Sequence, residues 1–193
     1  MEWNKYLENT KNAPPRPLLR ESLQYVNQDS KRRALDLGAG SLNDTRFLIE
    51  QDFHVVIVDS NPTVEDLVRD LPKNTYEVEI KTFDKYRFPK ETFSLVNAQY
   101  ALPFSSPSTF KKVISDMKNS IEHKGIFTGQ FFGIKDDWAD NKEMTFTTLE
   151  GVKEVFGKDW EIHKLEEEKV MKKTAAGKDK FWHVFHVIAE KVG

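Results

Sequence analysis

The chain contains no cysteine, which removes disulfides, thiolate metal ligands and cysteine nucleophiles together. It has no apolar run near the ~20 residues that a membrane-spanning helix needs. Its start, Met1-Glu2-Trp3-Asn4-Lys5, lacks the apolar core of a secretory signal, so the expected location is the cytoplasm and no membrane partner is expected. Charge of one sign is also missing. The 29 Lys and Arg stand against 31 Asp and Glu, a net charge of −2, which offers no broad positive field to nucleic acid and favours a small-molecule partner. Glycine is scarce, 9 in 193 residues, so a pair of glycines at a strand end carries information. There is no internal repeat and no low-complexity tract apart from a Lys/Ala/Gly stretch from Lys172 to Lys180, which reads as a long hairpin connection.

What is present describes one globular domain spanning 1–193: 38% hydrophobic, 12% aromatic and 31% charged residues, in a length that buries a single core. Residues Trp3 to Pro17 are polar and aromatic, with Pro14, Pro15 and Pro17 closing off any helix. We expect 1–17 to be a lid segment outside the core. A helix is expected over Leu18 to Val26, then a strand Ala34-Leu35-Asp36-Leu37 running into Gly38-Ala39-Gly40. The pattern continues with a helix from Thr45 to Gln51, a β-branched strand from His54 to Asp59, a helix from Thr63 to Asp70 and a strand from Val78 to Phe83. Strand Phe93 to Ala98, helix Ser108 to Ile121 and strand Gly125 to Phe132 follow, the last after a glycine helix stop. After a short helix from Thr148 to Phe156, Trp160 to Lys169 and Phe181 to Ala189 form a terminal antiparallel pair.

Asp36-Leu37-Gly38-Ala39-Gly40 lies where a strand turns into a helix, and glycines there let backbone approach a ligand closely. Asp59 ends the next strand 21 residues after Gly38, where a carboxylate meets the hydroxyls of an adenosine ribose. Its alternative role is to cap the helix ahead of Pro62, a role Ser60 or Asn61 fills equally well. Between the two nucleotide classes, a dinucleotide is disfavoured because Asn43 replaces the third glycine of G-x-G-x-x-G. Asp36 would repel a pyrophosphate but attract an amine and a sulfonium.

In Asp36-Leu37-Gly38-Ala39-Gly40, Asp59, Phe83-Asp84 and the strand Phe93-Ser94-Leu95-Val96-Asn97-Ala98, residues 30 to 190 resemble the class I S-adenosylmethionine-dependent methyltransferases. Within them the chain looks most like the small bacterial tellurite-resistance-type methyltransferases, through Pro15-Arg16-Pro17-Leu18-Leu19, Tyr100-Ala101-Leu102-Pro103-Phe104 and Phe181-Trp182-His183-Val184-Phe185-His186. The resemblance implies an α/β, Rossmann-like seven-stranded mostly parallel sheet with helices on both faces and a C-terminal antiparallel hairpin. It implies that S-adenosylmethionine is the cofactor, with Gly38, Ala39 and Gly40 along its methionine part, Asp59 and Ser60 at the ribose, and Asp84 beside Phe83 at the adenine. Asn97, Gln99 and Tyr100 would face the methyl group. The chain departs from the family at Leu42, where many members carry a further glycine, and at Asn97, which replaces a frequent acid.

Each of these residues also has a plainer role. Asp84 suits a solvated turn, Tyr100 an aromatic core, and Arg16 either a cofactor carboxylate or an exposed proline turn. His183 and His186, three apart in a strand, point to opposite faces and are expected neither to pair nor to bind metal. The implied activity is methyl transfer to a small-molecule acceptor, driven by alignment rather than a covalent nucleophile. The alternative is a silent S-adenosylmethionine-binding protein acting as a sensor or partner subunit.

Overall fold

The computed structural model describes residues 3–193. Eight strands form one sheet in the order β3-β2-β1-β4-β5-β8-β7, with the two-residue β6 (Phe146–Thr147) beside the end of β5. Strands β1 (Arg33–Leu37), β2 (His54–Asp59), β3 (Tyr76–Ile80), β4 (Phe93–Ala98) and β5 (Ile121–Gly133) are parallel, while β8 (Asp179–Lys191) runs antiparallel between β5 and β7 (Trp160–Lys173). This is the expected seven-stranded arrangement with its closing hairpin, plus one short strand that the sequence did not suggest.

Alternation along each strand builds two cores. On one face Leu35, Val56, Val96, Phe127 and Val187 meet α5 (Pro107–Ser120) and α6 (Leu149–Phe156) through Val113, Met117, Val152 and Phe156. On the other, Ala34, Val55, Ile57, Leu95 and Ile188 meet α2 (Pro17–Ser22), α3 (Asn43–Glu50) and α4 (Val64–Leu67) through Leu18, Leu19, Leu48 and Val64. The central strands are apolar on both faces because helices cover both.

The third strand lies at Tyr76–Ile80 rather than Val78 to Phe83, and the helix expected from Thr63 to Asp70 is α-helical over Val64–Leu67 and tightens to a 3-10 turn at Val68–Asp70; three further differences have a local reason. Residues Trp3–Thr10 form a helix, α1, because the prolines begin only at Pro14 and Trp3, Tyr6, Leu7 and Thr10 recur at helical spacing on one side. Leu7 on this helix is buried; Met1 and Glu2 of the expected lid segment 1–17 lie outside the described residues. Gly125 is no helix stop: α5 ends at Ser120 and β5 starts at Ile121, with Gly125 at a shift in register where a Cβ would sit 2.9 Å from the Phe93 carbonyl oxygen. Finally, the connection is shorter than Lys172 to Lys180, because β7 runs on to Lys173 and β8 begins at Asp179. Lys173 faces Asp179 across the hairpin, 3.1 Å from amine to carboxylate, and only the residues between them turn.

Candidate functional site

Chain order reverses between β1 and β4, the neighbours at the middle of the sheet. In open α/β sheets such a switch leaves a crevice beyond the carboxyl ends of the strands, where ligands bind. The glycine turn follows β1 here. Gly38 has φ +73°, and a Cβ on it would lie 2.6 Å from the Cβ of Ala101 and 3.5 Å from the Phe83 ring, so only glycine permits this approach of the β1 and β4 loops. Gly40 has φ +52° and lies against the Tyr6 ring. Leu42, where the resemblance leads one to expect glycine, also takes a left-handed conformation at φ +62° and is fully buried.

Below the turn lies a pair of buried carboxylates. Asp36 accepts from Thr45 Oγ1 at 2.5 Å and from Asn97 Nδ2 at 2.8 Å. Asp44 accepts from the Arg16 backbone amide at 2.7 Å and, at 3.4 Å, from the same Asn97 amide. Among the described residues no Lys or Arg side chain forms an ion pair with either one. Burial, reinforced by the neighbouring Asp44 charge, pushes the Asp36 carboxyl up to about 7, and burial raises Asp44 as well. Sequence reasoning did not find Asp44 as a member of the site. Its only visible signal was an acid in the first turn of the helix after the glycines.

Asp59 ends β2 beside this pair. Its Oδ2 accepts from Gly40 N at 3.0 Å and its Oδ1 from Asn61 N at 2.8 Å, so the carboxylate ties the glycine turn to the β2–α4 loop. Helix α1 (Trp3–Thr10) lies over both. Thr10 Oγ1 is 2.6 Å from Ser41 Oγ, Ser41 donates to the Leu7 carbonyl, and Asn43 donates to the Thr10 carbonyl. Between α1 and the β2–α4 loop runs an open groove of about 920 Å³ whose walls include Trp3, Lys5, Ser60 and Asn61. Phe83 reaches Gly38, whereas Asp84 lies on the turn after β3, held below the usual carboxylate range chiefly by a hydrogen bond from Thr82.

The residues expected at the methyl end divide by depth. Asn97 is fully buried and spends its amide on Asp36 and Asp44, so it supports the acid pair from below. Gln99 and Tyr100 lie nearer the surface. Arg16 reaches this end rather than the glycine turn: its guanidinium stands 5.0 Å over the Tyr100 ring and donates to the Tyr6 hydroxyl at 3.3 Å. Tyr100 belongs to an aromatic cluster with Phe104, Phe132, Trp138 and Trp182, into which Trp3 is joined through Phe104 at 5.0 Å between ring centroids. The Lys180 amine is buried in this cluster, 3.6 Å from the Trp182 ring centre and 2.5 Å from an Asp136 carboxylate oxygen. Burial pushes that amine below its usual range, against the pull of Asp136. His183 and His186 do face opposite sides. His183 holds the β5–β6 loop by accepting from Lys135 N at 3.1 Å, and His186 approaches Gln130 and Tyr100.

No protein-family model matches the chain, and no curated protein sequence matches it. Solved structures do. TehB from Haemophilus influenzae aligns with a TM-score of 0.72 at 17% identity, covering 89% of this chain and 62% of TehB. A SAM-dependent methyltransferase from Methanosarcina mazei aligns with a TM-score of 0.68 at 15% identity over 93% of this chain and 99% of that one. The 1,6-didemethyltoxoflavin-N1-methyltransferase of Burkholderia thailandensis, determined with 1,6-didemethyltoxoflavin and S-adenosylhomocysteine, aligns with a TM-score of 0.63 at 16% identity over 92% and 79% of the two chains. The chain therefore has the fold of the SAM-dependent methyltransferases, as its sequence pattern implies.

Proposed function

We propose that the protein binds S-adenosylmethionine across the carboxyl ends of β1, β2 and β4 and transfers its methyl group to a small-molecule acceptor. The observation that carries this reading is the buried Asp36–Asp44 pair. Two carboxylates share one amide beneath a glycine turn, and among the described residues neither forms an ion pair, the Arg16 charge reaching Asp44 only from a distance; this arrangement disfavours phosphate and suits the ammonium of an amino-acid cofactor. The shape agrees with the chemistry: the left-handed turn at Gly38 and Gly40 brings bare backbone to the crevice at the strand ends, and Asp59 stands at its edge with its carboxylate partly exposed.

Bound here, S-adenosylmethionine supplies a methyl group on a sulfonium that is open to in-line displacement. The chain's own contribution is orientation. Asp36 and Asp44 would hold the amine, Asp59 and Ser60 the ribose, and Phe83 with Asp84 the adenine side. Helix α1 would shield the turn from water through Tyr6 and Leu7. The aromatic cluster around Tyr100 and Trp182 suits an acceptor that is small and largely apolar.

A thermal-shift panel of S-adenosylmethionine, adenosylhomocysteine, NAD and NADP tests the reading. Adenosylhomocysteine at about 100 times its dissociation constant should add roughly 2.7 kcal/mol to stability, and Asp59→Ala should abolish most of the shift. A folded protein that shows no shift with either sulfur ligand at millimolar concentration, or a shift only with NAD or NADP, would refute it.

A further inference from the structure

The polar side chains at the carboxyl ends of β4 and β5 form one directed chain. The Tyr100 backbone N–H can only donate, and it donates to Gln130 Oε1 at 2.8 Å. The other end of that amide must therefore be the donor. Gln130 Nε2 donates to Gln99 Oε1 at 2.8 Å and lies 3.4 Å from His186 Nδ1. Gln99 Nε2 donates in turn to Asn97 Oδ1 at 2.8 Å, and Asn97 Nδ2 to the Asp36 and Asp44 carboxylates. No amide can flip without facing donor to donor inside an otherwise apolar sheet.

Two features show what the chain holds. Tyr100 has φ +56°, a left-handed conformation rarely taken by a bulky residue, and such backbones persist only where surrounding contacts impose them. The hydrogen bond to Gln130 Oε1 is the contact its own amide makes. The next residue, Ala101, abuts Gly38, so the Tyr100 ring is rooted beside the glycine turn. Its face already carries a cation, the Arg16 guanidinium, while Phe132, Trp182 and His186 meet it edge-on.

We propose that Gln130 is a positioning residue: by fixing Tyr100 in its left-handed conformation it holds the ring as a platform for the cationic sulfonium of the cofactor. This rests on the cofactor reading above. Gln130 is 2% exposed and acts through Tyr100 rather than by touching the ligand.

The test compares S-adenosylmethionine with adenosylhomocysteine, which differ only in the methyl group and the positive charge on sulfur, by calorimetric titration of the full chain. Gln130→Leu and Tyr100→Leu should each reduce the preference for the charged ligand by about three- to tenfold, and the double variant no further than either alone. Gln130→Glu, with its buried carboxyl protonated, accepts from the Tyr100 amide, donates to Gln99 Oε1 and should keep the preference. Should Gln130→Leu not fold, Gln130→Met, of matching length, takes its place. Equal weakening of both ligands, or an unchanged preference in Tyr100→Leu, overturns the proposal and leaves the cofactor reading intact. Failure of both ligands to bind the unaltered protein overturns the cofactor reading and the proposal with it.

Discussion

Replacing Asp36 by Asn should stabilise the protein in alkaline solution while weakening its grip on the cofactor. Asp36 is 1% exposed, its carboxyl is raised from 3.8 to about 7 by burial first and by the Asp44 charge second, and Asp59 adds to the rise. The native state thus binds a proton more tightly than the unfolded chain does. The stability associated with that proton is complete below the unfolded value of 3.8 and is lost as pH rises through about 7. A displacement of this size corresponds to about 4 kcal/mol in all, of which about 2 kcal/mol falls between pH 5.5 and 8. An asparagine keeps the shape: its oxygen accepts from Asn97, and its amide donates to Thr45, whose hydroxyl now serves as acceptor. Urea denaturation of both proteins at pH 5.5 and pH 8 measures the effect. The unaltered protein should lose about 2 kcal/mol more than Asp36→Asn across that interval, and the variant should bind adenosylhomocysteine more weakly. If the two proteins lose stability in parallel, the buried carboxyl does not titrate in this range and its place beneath the glycine turn has no such electrostatic cost.

Two further expectations follow from the packing around the turn. Gly38→Ala forces a Cβ to 2.6 Å from Ala101 at φ +73° and should cost about 1–3 kcal/mol; Ala101→Gly should restore part of this, and a denaturation midpoint left in place by the single change would contradict the geometry. Deleting residues 1–13 removes buried Leu7 and the bonds of Thr10 to Ser41 and Asn43, so the melting temperature should fall, with about 1.5–3 kcal/mol lost from Leu7 alone. Limited proteolysis at Lys5 and Lys11 should slow in the presence of adenosylhomocysteine, and equal cleavage rates with and without it would show that α1 takes no part in binding.

The aromatic cluster carries a separate lesson about substitution. The Lys180 amine and the Asp136 carboxylate are both buried, and Asp136 also accepts from the backbone amides of Trp138 and His183. Their pairing fastens the β5–β6 loop to β8 against Trp138 and Trp182. Loss of one partner leaves the other buried and uncompensated, which is far more costly than loss of both.

Periodicity and turn chemistry, both local properties, determined much of this protein. The β-branched run from His54 to Asp59 and the strand from Phe93 to Ala98 stand at the expected residues because strands buried on both faces are continuous apolar runs. The glycine turn after β1 was legible because Gly38 and Gly40 follow a strand and precede a helix, and the order of strands and helices then implied the parallel sheet. Helix α1 was missed although its spacing was visible, since the prolines that follow it were read too far toward the N-terminus.

What the sequence could not contain is distance across the sheet. Asp36 and Asp44 become a pair only because Asn97, 61 residues from Asp36, lies between them. Gln130 meets Tyr100, and Arg16 stands over the Tyr100 ring, because β4, β5 and the segment after α1 converge at one end of the sheet. Residue types and spacing fix which elements form and which faces they bury, for those depend on neighbours a few positions away. The charge state of Asp36, the direction of the amide chain and the left-handed backbone of Tyr100 depend on desolvation and on partners brought from elsewhere in the chain, and only the tertiary structure supplies them.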